Sequence, residues 1–134
     1  MKRSRYLFLS ICIVLLLAGA ACQKGNNGSE ENLVVVTLPL ANGHVEPPAP
    51  GPDFQLKVTV TSAMPRGGVK IDVTAKPDGG TVAFFTSSKT SSTASTDFLI
   101  TTPTTGVVSL VEITVTSVST PSNKWTGSYK YSRK

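Results

Sequence analysis

From Phe54 to the C-terminus, apolar and polar side chains alternate, and this period of two constrains the chain more than any other feature. Phe54, Leu56, Val58 and Val60 alternate with Gln55, Lys57, Thr59 and Thr61. Val69, Ile71, Val73 and Ala75 alternate with Lys70, Asp72, Thr74 and Lys76, and Val111, Ile113 and Val115 with Glu112, Thr114 and Thr116. In the last segment Trp125, Gly127, Tyr129 and Tyr131 alternate with Lys124, Thr126, Ser128, Lys130 and Ser132. Successive side chains of a strand point to opposite faces, so each segment has one dry and one wet face, and no window carries a helical period. Two shorter segments, 81–86 and 97–101, are apolar on both parities (Val82, Ala83, Phe84, Phe85; Phe98, Leu99, Ile100). They are expected where the sheet is covered, wholly or in part, on both faces.

The separators carry turn chemistry. Pro65-Arg66-Gly67-Gly68 and Pro77-Asp78-Gly79-Gly80 join a preset proline φ to glycines that accept positive φ. Residues 103–106 and 121–123 are similar punctuation, and Ser87–Thr96 reads as one long Ser/Thr loop. Short strands with wet outer faces, separated by turns, predict an all-β fold: two antiparallel sheets packed face to face. About 80 residues supply one modest core, hence a single domain over 54–134.

This segment resembles bacterial immunoglobulin-like or fibronectin-III-like β-sandwiches of about seven strands. Val69–Ala75 and Val111–Ser117 look like strands B and F of such a domain, and Trp125–Tyr131 like strand G. The likeness is one of pattern, since the cysteine pair, the third-strand tryptophan and the tyrosine corner are missing.

Upstream the chain changes character. Residues 46–53 hold four prolines and read as a stiff, extended linker. Residues 22–32 offer no apolar group beyond Cys22 and read as a flexible tether. Between them, Leu33-Val34-Val35-Val36-Thr37-Leu38-Pro39-Leu40 is too apolar to hang free. It is expected as an edge strand of the same sandwich, because Pro39 cannot donate to a ladder. The alternatives are a disordered extension of the tether and a strand donated to a partner.

The first 21 residues read as an export signal. Lys2, Arg3 and Arg5 precede an apolar run, and small residues Ala18-Gly19-Ala20-Ala21 lead to Cys22. This arrangement resembles the lipobox of bacterial lipoproteins. The resemblance implies cleavage after residue 21 and diacylglycerol and palmitate on Cys22, which attach the chain to the membrane. With Gln23 rather than aspartate following, it also implies the outer membrane, on its periplasmic or surface face. Ordinary secretion and an uncleaved anchor are the alternatives, though the apolar stretch of about 16 residues falls short of the roughly 20 needed to span.

Removing the signal also removes most of the basic character. The full chain has 13 Lys+Arg against 8 Asp+Glu; without Lys2, Arg3 and Arg5 the balance is 10 against 8. No basic stripe then argues for nucleic acid. Cys12 lies in the signal, so a lipidated Cys22 leaves no thiol for a disulfide.

Catalytic and metal chemistry find no pattern. The one histidine, His44, stands in Asn-Gly-His without companion ligands and reads as a solvated loop residue. Asp72, Asp78, Asp97 and Glu112 are scattered singly, and no base accompanies the many serines. No enzyme activity, metal or cofactor is expected. Trp125, Tyr129 and Tyr131 share one parity and admit two readings: core packing, or a platform on which sugar rings stack, with Tyr131 the most exposed of the three. The reading that results is a monomeric, non-catalytic, lipid-anchored envelope module that binds a protein or glycan, or plays a structural part. One alternative is a carbohydrate-binding accessory of polysaccharide uptake; another is an assembly subunit pairing through residues 33–40.

Overall fold

The computed structural model describes residues 28–101 and 104–134. Among these residues there is no helix. Eight strands follow in order: β1 (Val35–Leu38), β2 (Asn42–Val45), β3 (Asp53–Val60), β4 (Val69–Pro77), β5 (Phe85–Ser91), β6 (Ser95–Thr101), β7 (Val108–Ser117) and β8 (Lys124–Ser132). They form a three-stranded sheet, β1-β3-β6, and a five-stranded sheet, β2-β8-β7-β4-β5. The chain is an all-β sandwich, and its strand order is compatible with an immunoglobulin-like topology.

The alternation sets the core. Leu56 and Val58 of β3, Val69, Ile71, Val73 and Ala75 of β4, and Val111, Ile113 and Val115 of β7 are all buried between the sheets. Each such Val, Leu or Ile contributes about 1.5–3 kcal/mol relative to exposure. Phe98 and Ile100 of β6 and Tyr129 and Tyr131 of β8 close the same cluster. Register follows parity: Val73 lies opposite Ile113, and Val111 opposite Tyr129.

Several expectations change. The sandwich has eight strands rather than about seven, and one pair, β2 with β8, is parallel. The strand at Val69–Pro77 lies between β7 and β5, the position of strand C rather than B; β3, flanked by β1 and β6, holds position B. The segment Ser87–Thr96 is not a loop: most of it belongs to β5 and β6, and only residues 92–94 cross between the sheets. Its Ser/Thr composition hid a strand whose outer face is solvated. Residues 81–84 precede β5 instead of forming a strand, with Val82 78% exposed. In β6 only one face is covered, since Phe98 and Ile100 are buried and Leu99 is exposed.

The N-terminal boundary moves as well. β1 lies at the edge of the three-stranded sheet, antiparallel to β3, and buries Val35 and Thr37. At Pro39, which has no N–H to continue the ladder, the chain leaves that sheet and joins the other as β2. The proline-rich stretch 46–53 is not a free spacer. Glu46 N–H donates to Lys130 C=O (2.8 Å), Ala49 N–H to Ser132 C=O (3.1 Å), and Lys134 N–H back to Ala49 C=O (3.0 Å). It is a strap along β8. The domain therefore begins before Phe54, and Glu30, expected to lie within the flexible tether, is bonded to the domain.

The two poles are distinct. One gathers the 61–68 and 118–123 connections, joined by Val118 N–H donating to Gly68 C=O, and receives Glu30 and Glu31. The other gathers the 78–84 connection and the C-terminus, where Gly106 N–H donates to Arg133 C=O (2.8 Å).

Candidate functional site

Cys22 and the whole signal segment lie outside the described residues. The three aromatic residues of β8 do share one face, but that face is turned inward. Tyr129 and Tyr131 are buried, with ring centroids 6.1 Å apart. Tyr131, expected to be the most exposed, is only 2% exposed, because the strap and Phe54 cover the end of β8. Trp125 is half-buried and folds over Gly127 beside Ala41. Tyr129 and Tyr131 thus belong to the core cluster and the partly buried Trp125 packs against it, and no open stacking platform forms among the described residues.

What these tyrosines border is a cleft of about 160 Å³ between the sheets and the strap. Phe54 comes from β3 and packs on Tyr131 with ring centroids 4.4 Å apart at 52°. Pro39, Pro47 and Ala49 form the outer wall, with Glu46 and Gln55 beside them. The Tyr129 hydroxyl has no hydrogen-bond partner among the described residues, although Tyr129 is only 1% exposed. Burial above all, with smaller contributions from Tyr131 and the Glu46 charge, pushes its phenol above the ordinary value, so it stays protonated. Outside the cleft a shallower cavity of about 330 Å³ runs past Leu38, Gln55, Lys57 and Asp97.

His44 lies on β2, not in a free loop. Its Nδ1 bonds the Asn42 side-chain oxygen (2.7 Å) and its Nε2 meets the Glu46 carboxylate, so the imidazole orients the acid at the cleft. The remaining acids are dispersed over the surface: Asp72 pairs with Lys70, Glu112 with Lys76, and Asp78 with Lys130. Among the described residues no three His, Cys, Asp or Glu side chains gather as metal ligands would.

A second constellation sits at the opposite pole. Glu30 accepts hydrogen bonds from Ser119 (2.7 Å), Thr120 (3.2 Å) and the Asn123 amide (2.7 Å). Asn123 also donates to the Glu31 carbonyl and accepts from Leu33 N–H, while the Glu31 carboxylate takes Ala63 N–H (2.9 Å). The hydroxyls of Ser117 and then Ser119 lead in holding the Glu30 carboxyl below its usual range; desolvation opposes them, and Asn123 and Thr120 add to the lowering. This clasp ties the incoming chain to both polar loops.

Neither constellation has a local signature. Glu46 meets Tyr129 only because β2 runs parallel to β8, and Glu30 meets Asn123 across 93 positions of sequence. One signal did point to the cleft: Phe54 shares the inward parity of Leu56 and Val58 at the end of a strand. No protein-family model, curated protein or solved structure matches the chain.

Proposed function

We propose that the chain is a non-catalytic, lipid-anchored module of a bacterial outer membrane, held through Cys22. The feature that supports this reading is the basic, apolar and small-residue run leading to Cys22, and the Glu30 clasp sets which pole of the domain would meet the anchor. The clasp receives the chain at one pole, eight residues after Cys22. If the segment from Gln23 to Glu30 is the tether its composition implies, it would reach about 15 Å, and the loops 61–68 and 118–123 would face the bilayer at close range. The nine residues of β8 then carry the C-terminal pole about 30 Å further out. A stalk of proline is not part of this arrangement, because the proline segment is strapped to the domain.

Metabolic labelling with palmitate and membrane fractionation test it. The natural chain should take up label and sediment with the outer membrane. Cys22→Ser should lose the label and either become soluble or accumulate as a precursor. Unchanged labelling of that variant would overturn the anchoring reading.

A second reading, an assembly subunit, is favoured by the outer side of β1. Val36 and Leu38 are 48 and 70% exposed on a strand that pairs only with β3 among the described residues, and Val34, just before it, is 53% exposed. Such an edge can accept an extended segment of another chain. Native mass spectrometry of envelope extracts would reveal a stoichiometric partner lost on Val36→Lys.

A further inference from the structure

Asn42 and Gly43, both exposed at the start of β2, carry a chemistry that the rest of the strand does not. Pairing with β8 is irregular there. Asn42 lies opposite Ser128 and Val45 opposite Lys130, so three steps along β2 match two along β8. Such a bulge leaves one residue without a ladder partner and disrupts the pairing locally. Gly43 has a φ of +84°, and nothing lies within 4 Å of the point where a side chain would begin. No side chain therefore shields the Asn42 amide from its neighbour's nitrogen. A shallow cavity of about 490 Å³, lined by both residues with Thr126 and Ser128, keeps the segment open to water. Two donors converge on the Asn42 side-chain oxygen. The His44 N–H meets Oδ1 at 3.2 Å, and the His44 ring Nδ1 meets it at 2.7 Å. The other ring nitrogen, Nε2, is held by the Glu46 carboxylate, which fixes the imidazole in place. Donors aimed at an oxygen that gains charge during a reaction lower the barrier to that reaction.

We propose that the Asn42–Gly43 step is a self-modifying site, where His44 promotes conversion of Asn42 through a cyclic imide to aspartate and isoaspartate. The Gly43 backbone nitrogen attacks Asn42 Cγ, and the carbonyl electron pair moves onto Oδ1 between the two donors. Collapse of this intermediate restores the carbonyl and breaks the Cγ–Nδ2 bond. The Gly43 nitrogen loses one proton to solvent and the departing nitrogen gains one, so ammonia is released. Water then opens the imide, at Cγ to give aspartate or at the backbone carbonyl carbon to give isoaspartate. Isoaspartate routes the main chain through Cγ and lengthens β2 by one methylene. That displaces the residues after it against β8, where β2 and the strap are held. Neither step involves Cys22, so this inference and the anchoring reading fail separately.

The test ages the full chain at neutral pH, in buffer and in urea, and maps its peptides by electron-transfer fragmentation, which separates aspartate from isoaspartate. Asn27, also followed by glycine, serves as an internal standard. In urea the two asparagines should convert at similar rates. In buffer Asn42 should convert about tenfold faster than it does in urea, because only the fold holds both donors on Oδ1. His44→Ala should slow Asn42 about tenfold in buffer, less than the hundredfold or more of an enclosed oxyanion donor, because the site is wet. The rate at Asn27 should not change. His44→Asn, whose side-chain N–H can stand where Nδ1 does, should recover part of the loss. In the converted chain the Glu46 and Ala49 N–H groups, bonded to β8, should exchange faster. Slower conversion of Asn42 in buffer than in urea would overturn the proposal, since the ladder would then protect the amide. An unchanged rate in His44→Ala would overturn it as well, because the glycine alone would account for the reaction.

Discussion

A methyl group added at Gly127 would meet the Ala41 carbonyl oxygen at 2.7 Å and the Trp125 ring closer still. The glycine exists because the indole folds across β8 at that point, filling the space of a missing side chain. Gly127→Ala should therefore cost about 1–3 kcal/mol, read as a lower denaturation midpoint with an unchanged slope. Parity gives a sharper contrast in the middle of the sheet. Val73 and Ile113 face each other in the core, so Val73→Asp or Ile113→Asp leaves an unpaired carboxylate there. A loss of about 3–5 kcal/mol is expected, enough to unfold most of a domain this small. On the outer face Thr74 lies opposite Glu112 and Thr114 opposite Asp72. Thr74→Lys and Thr114→Lys should stay within about 0.5 kcal/mol of the natural chain, because each adds an opposite charge across the ladder. Thermal unfolding of the four variants checks both halves; a reversed pattern would mean a register shifted by one residue.

β1 and β2 are short edge strands that differ in what holds them. In β1, Thr61 N–H donates to Val34 C=O (2.8 Å), which fixes the phase of the antiparallel ladder. Even-numbered residues then turn their backbone groups toward β3, and Val35 and Thr37 turn theirs outward. Hydrogen exchange should accordingly be slow at Val36 and Leu38 and fast at Val35 and Thr37 in the isolated protein. Slowing at Val35 and Thr37 on adding envelope extract would locate a pairing partner on that edge. β2 is held instead by a parallel register with β8 and by the strap that follows it, and its side chains are mostly exposed. Its backbone, rather than its sequence pattern, places Glu46 beside the tyrosines.

For the whole molecule the consequential feature is polarity: the chain enters at one pole, while the aromatic cleft lies toward the other. The clasp enforces that arrangement and carries a pH dependence whose sign follows from Glu30. Its folded pKa is lowered, so its contribution is present above the ordinary value of 4.5 and fades as pH falls through the folded pKa. The Asn123 side-chain amide signal should titrate with a midpoint below 4.5, with the strands still folded. Asn123→Ala should free the entering segment at neutral pH, measured as faster exchange at Leu33 and Ala63 and earlier proteolysis before residue 33. If that segment stayed protected in the variant, the tether would be fixed by something other than the clasp.

Local periodicity was enough to determine the two-faced strands, because a period of two needs no knowledge of what lies across the core. Leu56, Val73 and Ile113 could be assigned inward from their immediate neighbours, and the prolines and glycines of 65–68 and 77–80 marked the turns. Pairing order was another matter. Val69–Pro77 carries nothing that distinguishes position B from position C, since both are buried strands with one wet face. Ser87–Thr96 has Ala94 as its sole apolar residue, so its strand character came only from the ladders to β4 and β3. The proline segment read as a spacer because proline fixes φ locally, and nothing local reports that Glu46 and Ala49 find carbonyls on β8. The sequence by itself determined which faces are dry; the tertiary structure alone decided which strands are neighbours, because long-range backbone hydrogen bonds recognise geometry and not side-chain identity.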